Sequence, residues 1–153
     1  SEMVAGVDYN VVSISMDEFE TPKDAMERKQ TFFKALDKNI PPESWKFLTG
    51  DSATIKKVAD AAGFHFKRNG NDFLHAGAFI FVDNNGKICR YLFPSYSEKR
   101  GFGILPFDFK MSVIETSEGK ISPTMAKVLQ FCFSYDPEAV SYTHLTLPTS
   151  DLV

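Results

Sequence analysis

The chain has 153 residues, 43% hydrophobic and 24% charged, which suits one globular domain with a real core. A formal charge of −3 and a pI near 5.6 leave no basic footprint and argue against nucleic acid as a partner. No run approaches the ~20 apolar residues of a membrane span, no signal peptide is visible, and fifteen phenylalanines predict an aromatic-rich core.

Residues 9–16 form an apolar-rich run of the kind buried in the middle of an α/β sheet. It exits into the loop Asp17-Glu18-Phe19-Glu20. Thr21-Pro22 then opens a helix as N-cap and first-turn residue, with Asp24 answering exposed amides. Ala25, Phe32, Phe33 and Leu36 give its apolar stripe, and Lys23, Glu27, Lys34 and Lys38 its solvated face. Ile40-Pro41-Pro42 ends it. Residues 45–48 read as a short strand stopped by Thr49-Gly50. Asp51 caps a second helix over 52–62, expected to bury Ile55, Val58, Ala59 and Ala62, with Gly63 as its stop.

Phe64-His65-Phe66 leads into a polar loop, 67–72, and then to Phe73-Leu74-His75. Residues 78–82 are β-branched and aromatic and bounded by turn residues, which predicts a buried strand with Phe79 and Phe81 in the core. Asn85-Gly86 is expected to supply the two positive-φ positions of a tight hairpin turn, and residues 87–92 the returning strand. A long loop over 94–106, a third helix over 108–116 and a fourth from Ser122-Pro123 to about Phe133 complete the order. Strands alternating with helices and closing on a hairpin plus a helix make an α/β, thioredoxin-like arrangement. Its first strand and the helix after it, whose junction holds the reactive cysteines of that fold, are not found in these residues.

Cys89 and Cys132 have no C-x-x-C or zinc spacing and are expected to be buried, unreactive thiols. His75, taken on the residues alone, is either a packing residue at a strand mouth or a metal ligand. His65, between two phenylalanines, reads as structural, and Asp17 and Glu20 as loop and capping residues. Glu98-Lys99-Arg100-Gly101 reads as solvated surface, with docking on a partner as the sharper alternative.

The tail Val140-Ser-Tyr-Thr-His-Leu-Thr-Leu-Pro-Thr149 back-translates as GTC TCT TAT ACA CAT CTG ACG CTG CCG ACG, which resembles the transposase adaptor of sequencing libraries. Residues 1–138 are therefore read as a partial thioredoxin-like domain, and 139–153 as a non-native tail set aside from fold reasoning.

Several motifs, taken together and in order, resemble the SCO/SenC family of copper chaperones of cytochrome c oxidase assembly. They are Val11-Val-Ser-Ile-Ser-Met-Asp17 with Glu20-Thr21-Pro22, Trp45-Lys-Phe-Leu-Thr-Gly50, Ala62-Gly-Phe64, and the spacing from His75 to Gly86. Ser117-Glu-Gly-Lys-Ile121 and Phe131-Cys-Phe-Ser-Tyr-Asp-Pro137 match as well. The family has Asp-Pro where this chain has Asp17-Glu18. The resemblance implies a membrane-tethered domain on the periplasmic face of the bacterial inner membrane, its tether outside this fragment. It implies copper, as Cu(I) or Cu(II), held by two cysteines of a C-x-x-x-C motif upstream of residue 1 and by one distant histidine, which by position is His75. The implied partner is the copper-site subunit of the oxidase, together with a thioredoxin-like reductant.

Two thiolates and an imidazole suit Cu(I), and the imidazole lets Cu(II) be held too. Three readings follow: a metallochaperone rather than an enzyme, a thiol-disulfide oxidoreductase that reduces the oxidase copper-site cysteines, and a cysteine-less binding module of the same fold.

Overall fold

The β-branched residues Val11, Val12 and Ile14 set β1 (Val11–Ile14), which pairs in parallel with β2 (Trp45–Leu48), Val11 opposite Trp45 and Ile14 opposite Leu48. The connection between them is α1 (Pro22–Ala35) and a 3-10 turn at Pro42–Ser44. The computed structural model describes residues 2–36, 39–98 and 101–121, so the expected helix from Ser122, Cys132 and the 139–153 tail lie outside the described residues.

α1 starts where its sequence says. The Thr21 hydroxyl accepts from the Asp24 amide, and the Asp24 carboxylate accepts from the Thr21 amide at 2.7 Å, a reciprocal capping box. Its phenylalanines lie on β2: Phe32 is 5.7 Å from the Trp45 ring and 5.8 Å from Phe47. Trp45 Nε1 donates to Ser13 Oγ at 2.9 Å, tying β2 back to β1. The second helix, α2 (Ser52–Ala61), is capped by Asp51, which accepts from the Thr54 amide at 2.7 Å, and stops at Gly63 with φ of 63°.

Two hairpins stand where loops were expected. β3 (Phe66–Asn69) and β4 (Asp72–His75) pair antiparallel around Gly70, whose φ of 65° at the first central position suits a two-residue hairpin turn. Lys67, Arg68 and Asn69 hide this strand from a hydrophobicity reading, because one face of the hairpin is solvated. Further on, β7 (Ser95–Ser97) pairs with β8 (Gly101–Gly103).

The central hairpin, β5 (Phe79–Val82) and β6 (Ile88–Leu92), forms as expected but turns differently. Among the described residues only glycines have positive φ, so Asn85 does not, and Gly86 alone takes that conformation at 80°. The Asp83 carboxylate accepts from the amides of Asn85 (2.8 Å) and Lys87 (2.9 Å), which holds a longer turn than Asn-Gly alone would make. A bulge opposes Phe81 to Arg90 and Val82 to Ile88, leaving Cys89 as the extra residue.

α3 (Pro106–Ser117) packs on this hairpin through Phe109, 5.6 Å from the Phe81 ring, and through an Arg90–Glu115 ion pair at 2.5 Å. The architecture is thus mixed α/β, with three helices and four two-stranded ribbons among the described residues. Ala25, Ile55, Cys89, Tyr91 and Val113 are buried. Phe79, Phe32, Leu36 and Val58 were expected to be buried as well, yet Phe79 is 47% exposed and the other three are also exposed. Among the described residues β1 bonds only to β2 and β5 only to β6, so each ribbon has a bare edge, and Phe79 lies on one of these ribbons.

Candidate functional site

His75 is the last residue of β4 and sits opposite Phe66 in the hairpin, not at the mouth of β5. Its Nδ1 lies 3.0 Å from the carbonyl oxygen of Ala76. A carbonyl can only accept, so this contact places a proton on Nδ1. The Phe64 ring flanks the imidazole at 5.8 Å between centroids, and the side chain is exposed. An exposed imidazole anchored through one ring nitrogen has a second nitrogen of the type that ligates metals.

Cross-strand partners point to the same side of a ladder. The register Phe66–His75 and Arg68–Phe73 therefore puts those four side chains on one face. The Arg68 guanidinium stacks over Phe73 at 4.6 Å and over Phe19 at 5.2 Å. It also donates to Asp17 Oδ1 at 2.5 Å and Glu18 Oε2 at 2.8 Å, in the loop that leaves β1. These contacts explain the local electrostatics. The Phe19 amide, and then Arg68, hold the Asp17 carboxyl below its ordinary pKa. Arg68 does the same to Glu18, and the two carboxylates push the guanidinium up. Asp17 is thus a loop residue, as expected, with an ion-pair partner that sequence reasoning missed. Glu20 pairs with Arg28 on α1.

Beside this cluster lies a groove of about 380 Å³ whose walls include Met16, Ile55, His65, Phe66, Arg68 and Phe73. His75 lies outside it.

Cys89 is fully buried at the β6 bulge, its Sγ 3.6 Å from the Lys87 carbonyl oxygen, an inert thiol as expected. Cys132 and the pair Lys99-Arg100 lie outside the described residues. Among the described residues no three His, Cys, Asp or Glu side chains converge on a metal position. No helix among them is long and apolar enough to cross a membrane. Sequence reasoning missed Arg68 because it missed β3. The signal was there in Asn69-Gly70-Asn71-Asp72, a turn flanked by alternating Phe64, Phe66 and Arg68 on one side and Phe73 and His75 on the other.

No family model matches the chain, and no curated protein matches it. Among solved structures it is similar to the crystal structure of a "putative electron transfer protein" from Aquifex aeolicus VF5, with 23% identity and a TM-score of 0.57. The match covers 77% of this chain and 62% of that one, so the chain spans less than two thirds of that protein's length. The likeness is one of fold.

Proposed function

We propose that His75 is the imidazole ligand of a copper site in a thioredoxin-like SCO/SenC domain that delivers copper to the binuclear centre of cytochrome c oxidase. The observation that carries this reading is the state of the His75 ring. Its Nδ1–H is committed to the Ala76 carbonyl, and the side chain is exposed at the end of a hairpin anchored to the loop after β1. The motif order from Val11 to Ile121 supports it. So does the arrangement of the bare edges. Tyr9, just before β1, and Phe81 of β5 rest on the same Phe109 ring, at 5.0 and 5.6 Å. A thioredoxin-like sheet has one strand between these two, followed by the turn that carries the cysteines.

In this reading the copper is cargo. The two thiolates come from a segment outside these 153 residues, and the protein works at the periplasmic face of the inner membrane on the copper-site subunit of the oxidase. A soft dithiolate holds Cu(I), and the neutral imidazole adds the donor that accommodates Cu(II). Ligands from two separate segments let the site open for transfer. A second reading, thiol-disulfide exchange by the same cysteines, draws support from the description of the Aquifex protein as a "putative electron transfer protein".

The test is a copper titration of the protein translated with its upstream coding sequence, wild type against His75→Ala. Loss of a direct ligand is expected to weaken Cu(II) by more than the ~10–100-fold that loss of an outer partner costs. Equal Cu(II) affinity in the variant would leave only the thiol-exchange reading, which needs no histidine.

A further inference from the structure

We infer that Arg68 is a positioning residue for His75, holding the ligand end of the β3–β4 hairpin in register with the carboxyl end of β1. The inference rests on the reading of His75 as a ligand, and its evidence is a continuous line of contacts. Asp17 and Glu18 follow β1 and grip one guanidinium nitrogen at 2.5 and 2.8 Å. The guanidinium plane covers Phe73 at 4.6 Å, Phe73 meets Phe66 edge-on at 5.8 Å, and Phe66 is the ladder partner of His75. Phe64 then closes on the imidazole at 5.8 Å.

No other ion pair recorded among the described residues joins β3 to the loop after β1. Arg68 and its two carboxylates are each only about a third exposed, at 32%, 27% and 31%, so the bridge is better shielded from solvent and salt than the α1 and α2 surface pairs. Lysine reproduces the arrangement only in part, because one ammonium can donate to both carboxylates, as one Arg68 nitrogen does, but has no planar guanidinium to stack on Phe73. The hairpin is short, four residues a strand, and a two-stranded ribbon of that length is marginal without an external anchor. Without Arg68 the His75 end keeps its ladder pairing with Phe66, the Phe64 ring and the Nδ1–H contact with Ala76, but loses its tie to the loop after β1.

The test reads His75 directly. Long-range ¹H–¹⁵N NMR of the full chain reports which imidazole nitrogen is protonated, in wild type, Arg68→Gln, Arg68→Lys and Asp17→Asn/Glu18→Gln. Wild type is expected to show the Nδ1–H form. Arg68→Gln and the double carboxylate variant should show mixed tautomers, with Arg68→Lys intermediate. In the copper-competent protein, Arg68→Gln should lower Cu(II) affinity about 10-fold or more, in the range for outer partners of a ligand. Cu(I) affinity, set by the thiolates, should not change. A general loss of structure would lower both. A single Nδ1–H tautomer with wild-type Cu(II) affinity in Arg68→Gln overturns the inference. If Arg68→Gln does not fold, the double carboxylate variant decides by the same signals. If His75→Ala leaves Cu(II) binding intact, the copper reading fails, and the tautomer alone decides the role of Arg68.

Discussion

Replacing Tyr91 by phenylalanine should loosen the corner that carries Phe64, and the size of the effect can be worked from the structure. Tyr91 lies in β6, is 8% exposed, and donates its hydroxyl to the Ala62 carbonyl at 2.6 Å. Ala62 is the C-cap of α2, and two residues later Phe64 flanks His75. The substitution keeps the ring and removes the donor. A net hydrogen bond is worth about 1 kcal/mol, and the abandoned carbonyl is only half-buried, so water can take part of the loss. With a urea slope of about 1.5 kcal/mol/M, that is a fall of ~0.7 M in midpoint. Trp45, the single tryptophan, sits 5.1 Å from Phe47 and provides the fluorescence readout. Amide exchange at Gly63 and Phe64 should quicken by about fivefold, the same energy read locally. An unchanged midpoint together with unchanged exchange at these two amides would refute the claim that Tyr91 anchors the corner.

The Asp17–Arg68–Glu18 bridge predicts a pH dependence. Both carboxyls have folded pKa values below their ordinary ones, so their contribution is full above the unfolded values, about 4, and is lost as pH falls through the folded ones. Urea midpoints measured from pH 6 down to 3 should fall less steeply in Arg68→Gln than in wild type, and parallel limbs would contradict the bridge. Gly86→Ala should cost about 1 kcal/mol, because φ is 80° there although no atom lies within 4 Å of an added Cβ. Gly86→Asn should cost less, and a thermal melt that ranks them the other way would point to a steric cause. Thr21→Ala removes one half of the capping box and should cost about 1 kcal/mol, read as a lower melting temperature with the α1 amides exchanging first.

Helix starts were legible because they depend on a few local atoms. Thr21-Pro22 with Asp24, and Asp51 before α2, cap as their residue types dictate. Residues 45–48 were likewise read as the strand they form. The β3–β4 hairpin was not legible from hydrophobicity, since Lys67 and Asn69 face solvent and Arg68 answers carboxylates fifty or so positions away in sequence. Burial was misjudged for a different reason. An apolar stripe shows which face seeks cover without showing what covers it, and Phe79 and Val82 of β5 lie beside an edge that no described strand occupies. The turn after β5 erred in type because Asp83, by accepting two amides, outweighs the preference of Asn85-Gly86 for a two-residue loop.

Moving His75 from the mouth of β5 to the end of β4 changes what controls it. At the mouth of β5 its position would follow the β5–β6 ribbon and α3, whose contacts are the Phe81–Phe109 rings and the Arg90–Glu115 pair. At the end of β4 it follows a four-residue ribbon fixed through Arg68 to the loop after β1. Under the proposed copper reading, a site shared between that loop's side of the fold and His75 needs the two held together before the metal arrives, because ligand geometry set in advance lowers the ordering cost of binding. The carboxylates that hold it, Asp17 and Glu18, are exposed enough to titrate. In this geometry both carboxylates are engaged with Arg68.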